Sequence, residues 1–182
     1  MNSFVKQKDV EMNNESNKTV TTTSIIRGLP GSGKSTYART IFPDSLIIEG
    51  DQLHANPDGT YEFDPTRVNS GKYILSMLKT AYRMGVKHVV VTVAHTGLYL
   101  REIMDLAKKH GSLRVAWMDY NNGDTSQNKH LVPDDVIATM KKRFFVIEGE
   151  TYIVRNDDRY RTSDQPPKWY LDMHNKTGKE EK

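Results

Sequence analysis

One glycine-rich stretch limits what this chain of 182 residues can fold into more than any other feature. Gly28-Leu29-Pro30-Gly31-Ser32-Gly33-Lys34-Ser35 satisfies G-x-x-x-x-G-K-[ST] in full, and Thr36 follows it. A short apolar segment, Ser24–Gly28, precedes the motif, and residues of helical character from about Gly33 to Ile41 follow. Strand, glycine-rich turn and helix in this order make an anion nest. The glycines let successive N–H groups turn inward, and the helix behind them contributes the positive end of its dipole. A chance glycine turn lacks these flanks.

The rest of the chain keeps the same alternation. Ser45–Glu49 reads as a second strand. Asp64 and Pro65 read as the N-cap and first turn of a helix reaching about Met84, with Val68, Ile74, Leu75, Leu78 and Tyr82 on its apolar side and Gly85 ending it. Val89–Val93 is a continuous β-branched run, as expected of a central parallel strand buried on both faces. A helix from about Leu98 to His110 follows, capped by Thr96 and ended by Gly111, and then a fourth strand, Leu113–Met118. Asn121–His130 is polar, and Pro133 opens a further helix through about Phe145. This spacing predicts an α/β fold of three layers, a doubly wound and mainly parallel sheet of the P-loop type. Residues 1–22 read as a disordered polar leader, 23–149 as the P-loop domain, and 150–182 as an extension with one strand at Thr151–Arg155 and a basic, aromatic arm.

Composition removes several classes of function. Zero cysteines exclude disulfides and thiolate metal sites. No apolar run approaches the roughly 20 residues that cross a bilayer, and no signal-peptide core is visible, so a cytoplasmic location is expected. A net charge of +3 permits an anionic partner without demanding one.

The motif assigns chemistry residue by residue. Gly28, Pro30, Gly31, Ser32, Gly33 and Thr36 line the nest, Lys34 reaches the β- and γ-phosphates of ATP, and the Ser35 hydroxyl ligates Mg2+. In doubly wound sheets ligands sit beyond the carboxyl ends of the strands, so polar groups there are the candidates for the acceptor side. Asp51, just after the second strand, is placed to take the proton of an attacking hydroxyl; a turn aspartate is the simpler alternative. His95 and Thr96 follow the third strand, where a substrate contact competes with plain helix capping. Asp119 ends the fourth strand, either assisting magnesium through water or serving as an ordinary strand-end aspartate. Asn121–His130 has the position of a lid, in which Lys129 and His130 are the cations; Arg143 on the next helix is a further nucleotide contact, unless Lys141, Lys142 and Arg143 simply complement the helix dipole. In the tail, Tyr160, Arg161, Lys168, Trp169 and Tyr170 suit either stacking on bases or packing against the domain.

Taken together, these features resemble the kinase domain of bacteriophage polynucleotide kinase and related P-loop kinases over roughly Ser24 to Phe145. The resemblance rests on the P-loop with Tyr37-Ala38-Arg39 after it, on Asp51, on Gly59-Thr60-Tyr61-Glu62-Phe63-Asp64-Pro65, and on Leu131-Val132-Pro133 leading to Met140. It implies that Asp51 is the general base and that Lys34 and Ser35 hold ATP and Mg2+. The implied reaction transfers the γ-phosphate to a hydroxyl on nucleic acid or a nucleotide. The chain departs from that pattern in three places. His95 stands where Asn or Asp is usual, Gln127 where the lid carries an arginine, with Lys129 as the available substitute, and His54 near an arginine that holds substrate phosphate. These departures keep three alternatives open: phosphorylation of the hydroxymethyl group of a modified pyrimidine such as 5-hydroxymethyluracil in phage DNA, a nucleotide-gated ATPase module, and a small-metabolite kinase.

Overall fold

The computed structural model describes residues 20–56, 69–93, 98–128, 132–156 and 159–177. Its centre is β1, Thr21–Gly28, which is buried along nearly its whole length because it has a parallel neighbour on each side. On one side lie β3 (His88–Val93) and then β2 (Leu46–Glu49). On the other lie β4 (Gly111–Tyr120), β5 (Thr151–Asn156) and β6 (Arg159–Ser163). The order β2-β3-β1-β4-β5-β6 is parallel throughout except for β6, which runs antiparallel to β5. Ile25, Ile26, Val89, Val90 and Val91 are each no more than 2% exposed, and they divide between the two faces as strand alternation requires.

Among the described residues five α-helices cover the faces: α1 (Lys34–Ile41), α2 (Ser70–Arg83), α3 (Leu98–His110), α4 (Asp134–Lys142) and α5 (Lys168–Thr177). The α1 side is filled by Ile26, Ala38, Val90, Met118 and Ile153. On the opposite side Ile25, Ile48, Val89 and Val91 meet Ile74, Leu78 and Ala81 of α2 and Leu100 and Ile103 of α3. Further along that side Leu29, Trp117, Phe144, Tyr152 and Trp169 form an aromatic cluster, with Trp117 and Phe144 edge to face at 4.4 Å. The three-layer, mainly parallel α/β architecture is therefore the observed one.

Several local expectations are corrected. The second helix is capped by Asn69, whose side chain accepts from the N–H groups of Gly71 and Lys72 at 2.9 and 3.4 Å. Asp64, Pro65 and the rest of Gly59–Pro65 lie outside the described residues, as do Thr96 and the leader through residue 19. Helix α4 stops at Lys142, short of Phe145, because Phe144 turns into the aromatic cluster. Gly111 opens β4 as well as following α3, and a side chain there would meet the Thr21 carbonyl oxygen at 2.1 Å. The first strand is not uniformly apolar. Arg27 is wholly buried, held by Glu150 through Nε and through Nη2 at 2.6 Å, with Nη2 also donating to the Phe145 carbonyl. Its guanidinium lies about 5 Å from the rings of Trp117, Phe144 and Phe145.

The tail continues the sheet. Tyr160 packs edge-on against Tyr37 at 4.9 Å on the α1 side. The Trp169 indole is buried against Trp117 and Phe144, so this ring is not available to stack on bases. Arg161 and Lys168 remain exposed.

Candidate functional site

The glycine-rich turn runs from the carboxyl end of β1 into α1. Gly31 and Gly33 have φ of 79° and 92°, the left-handed conformation that glycine adopts without strain, and Gly33 is the N-cap of α1. No side chain caps this helix, and no acidic residue lies in its first turn. Its leading N–H groups are thus left for an anion to satisfy. Space is tight around the turn. A Cβ on Gly28 would meet the Met118 carbonyl oxygen at 2.4 Å, and one on Gly31 would meet the backbone N of Asn128 at 2.7 Å. The second contact places Gln127 and Asn128, within the predicted lid, directly against the loop.

Two side chains in the turn are built for a ligand. Ser32 Oγ is buried and finds no hydrogen-bond partner among the described residues. Lys34 is 9% exposed, and its Nζ donates to the Leu29 carbonyl at 2.9 Å. Burial brings its pKa down from 10.5 to about 8, while the charges of Asp51 and, more weakly, Glu49 pull it back up. A buried cation and an orphaned hydroxyl beside uncapped N–H groups fit the phosphates of a nucleotide. Ser35, half-buried in the first turn of α1, offers a hydroxyl oxygen to a hard cation. Among the described residues no three His, Cys, Asp or Glu cluster as a metal cage. This suits Mg2+, which takes one or two protein oxygens and fills the remaining positions from phosphates and water.

Two carboxylates face Lys34 from the end of β2, and their surroundings differ. Glu49 is 5% exposed and accepts from Arg39, from Gln52 Nε2 at 3.4 Å and from Thr92 Oγ1 at 3.4 Å. Those contacts occupy its oxygens. Asp51 sits on a short 3-10 turn, Gly50–His54, and its side chain is exposed. Of the two, Asp51 is the more exposed. His54, at the end of the same turn, is only 4% exposed.

The remaining candidates separate. Asp119 points to the face opposite α1, accepts from the Trp169 indole N–H at 3.0 Å and is nearly buried. Burial raises its pKa, against the indole bond and the N–H groups of Gly123 and Asn122. These contacts make Asp119 the anchor of α5. Beside it a cavity of about 400 Å3 opens between Asn121, Asn122, Tyr152, Asn156 and Lys168. Arg143 is an exposed C-cap of α4. Gln127 is exposed in the turn over Gly31, and His95, Thr96, Lys129 and His130 lie outside the described residues.

Two residues near the loop escape a reading of the sequence. Glu49 is visible there only as the neighbour of Asp51; a carboxylate on the last residue of a strand beside the nest was the available signal. Arg155, at the end of β5, touches the loop at Gly33, and nothing local marks it.

No family model matches the chain. Solved structures share its architecture. A sugar kinase from Janibacter sp. is 18% identical with a TM-score of 0.51, over 85% of this chain and 92% of that one. A gluconokinase from Sinorhizobium meliloti 1021 is 15% identical with a TM-score of 0.51, over 90% and 99%. A chain of the Pnkp1/Rnl/Hen1 RNA repair complex is 16% identical with a TM-score of 0.50, over 72% of this chain and 48% of that one, so this chain spans about half its length. At these identities the shared property is the fold, and it is that of the P-loop kinases. Among the described residues no helix is long and apolar enough to cross a membrane.

Proposed function

We propose that this protein is an ATP-dependent phosphotransferase that moves the γ-phosphate to a hydroxyl on nucleic acid or a nucleotide. The observation that carries the reading is a buried Lys34 in the loop with the charge of an exposed Asp51, the largest acting on it, nearby. In this mechanism the loop N–H groups, Ser32 and Lys34 hold the β- and γ-phosphates. Ser35 would hold Mg2+, which when bound would supply charge neutralisation to the transferred group. Asp51 accepts the proton of the acceptor hydroxyl as its oxygen attacks phosphorus and the bond to the β-phosphate oxygen breaks. Glu49, already engaged by Arg39 and Thr92, sets the shape of the β2 end. Gln127 and Asn128, lying on Gly31, begin a cover that excludes water. His54, His95 and Thr96 are assigned to the acceptor, and Lys129 and Arg143 to the nucleotide.

A small polyol or sugar acid is the second acceptor class. It is favoured by the near-complete coverage of the sugar kinase and gluconokinase chains, against half of the RNA repair chain. Transfer of γ-labelled phosphate from ATP decides between them. The acceptors are 5′-hydroxyl DNA and RNA, DNA containing 5-hydroxymethyluracil, nucleosides, and gluconate with related sugars. Label on a nucleic acid or nucleoside supports the leading reading and names its substrate, whereas label on gluconate or a sugar replaces it with the second. Free phosphate with every acceptor unlabelled identifies an ATPase module.

A further inference from the structure

Positive groups converge on the amino end of α1. The helix dipole is positive there, no acidic side chain offsets it in the first turn, and Lys34 is buried beside it. Arg155 adds a third positive element from a different part of the chain. A side chain begun at Gly33 would meet Arg155 Nη1 at 2.5 Å, Cδ at 3.3 Å and Cζ at 3.4 Å, so the guanidinium rests on the last glycine of the nest. It is held in place. Its Cζ lies 5.2 Å from the centroid of the Tyr120 ring, and Tyr120 is its direct partner in the β4–β5 register. The Arg155 carbonyl accepts from the Asn121 N–H at 3.2 Å, which fixes the strand end.

The guanidinium lies against the last glycine of a loop whose leading N–H groups are uncapped and whose Ser32 hydroxyl is buried without a hydrogen-bond partner among the described residues, an arrangement that suits an anion. Arginine suits this position, because its planar fork can bond two phosphate oxygens while its face stacks on an aromatic ring. We propose that Arg155 binds the phosphate chain of the nucleotide held in the loop, as a fixed arginine supplied by the sheet. The proposal rests on the nucleotide-binding reading above and deepens it.

The test is calorimetric binding of MgATP and of magnesium tripolyphosphate, which has the phosphates without base or ribose. It uses the full chain and its R155M and R155K variants. Methionine keeps an unbranched stem against Gly33 and removes the charge. R155M is expected to weaken both ligands by about tenfold or more, and R155K by roughly threefold to tenfold, since lysine lacks the fork. The melting temperature of the free protein should not fall. Unchanged affinity for both ligands in R155M would show that Arg155 only packs on Gly33, and would overturn the proposal. Weakened ATP with unchanged tripolyphosphate would place the contact on the base or ribose and overturn it as well. If R155M does not fold, R155K decides by the same comparison. Wild-type protein that binds tripolyphosphate but not ATP overturns the nucleotide reading and leaves Arg155 tested on the phosphates. Wild-type protein that binds neither overturns both.

Discussion

Strand β1 and the loop that follows it solve opposite problems with the same kind of residue. Lys34 and Arg27 are both buried cations only seven positions apart, one in the phosphate loop and one in the strand before it. Arg27 is met by Glu150 and the Phe145 carbonyl, 123 and 118 positions away in sequence, and by the rings of Trp117, Phe144 and Phe145. Lys34 has one hydrogen bond, to a carbonyl five positions away, with the charges of Asp51 and Glu49 nearby. The aromatic cluster therefore surrounds a charge paired with the Glu150 carboxylate, which ties β1 to the loop before β5, although Arg27 Nη1 has no hydrogen-bond partner among the described residues. The loop holds a charge that still lacks a strong partner. Such under-compensation is costly in a structural element and useful in a binding site, because a ligand can supply what the protein withholds.

If that contrast holds, substitutions at the two cations' sites will separate activity from stability. Lys34→Ala should abolish ATP turnover, a loss of about 10³-fold or greater, with no loss of thermal stability, since an incompletely paired buried charge is removed. A melting point that fell sharply would place Lys34 with Arg27. Glu150→Gln should do the reverse. Leaving Arg27 buried without its counter-charge should cost about 3–5 kcal/mol, a fall in melting temperature on the order of 10 °C, with ATP affinity little changed wherever the variant is folded. Trp169→Phe sharpens the same point at smaller scale. Losing the indole bond to the nearly buried Asp119 should cost about 1–3 kcal/mol by denaturant unfolding and leave phosphate transfer intact.

The pH dependence gives a subtler separation. Lys34 is charged below about 8 and neutral above it in the folded protein, against 10.5 ordinarily. Between those values the unfolded chain binds more protons than the folded one, so the contribution of Lys34 to stability rises with pH while the affinity for ATP falls. Calorimetry in two buffers of different ionisation enthalpy should detect proton uptake when ATP binds near the top of this range. Lys34→Ala should abolish the uptake. Uptake that persisted in the variant would assign the titration to another group.

What could be read from the sequence follows the same division. The loop is local: its glycines, Lys34 and Ser35 stand within a few positions of one another, and the apolar strand and helix that flank it are equally local. The β-branched run at Val89–Val91 announced a central strand for the same reason. Arg155 and Glu150 had no such signal, because their partners are chosen by the pairing of β5 with β4 and by the path of the chain between α4 and β5. The cap of α2 shows a weaker form of this limit. Asp64 with Pro65 and Asn69 both satisfy the rules of a helix start, and the geometry at Asn69, with two N–H groups on its side chain, is what distinguishes them. In the tail, aromatic and basic residues mixed together fitted both a nucleic-acid arm and a packed edge. Burial of Trp169 and the Tyr37–Tyr160 contact assign those rings to packing.

The acceptor side carries the central claim, and Asp51→Asn tests it most directly. The variant keeps the shape of the side chain and removes the base. ATP affinity, measured by calorimetry, should stay within about threefold of wild type, while transfer of γ-labelled phosphate to the acceptor found in the screen falls by about 10²–10⁴-fold. Near-native transfer by Asp51→Asn would contradict the account, leaving Lys34 and the loop as a nucleotide site whose base lies elsewhere.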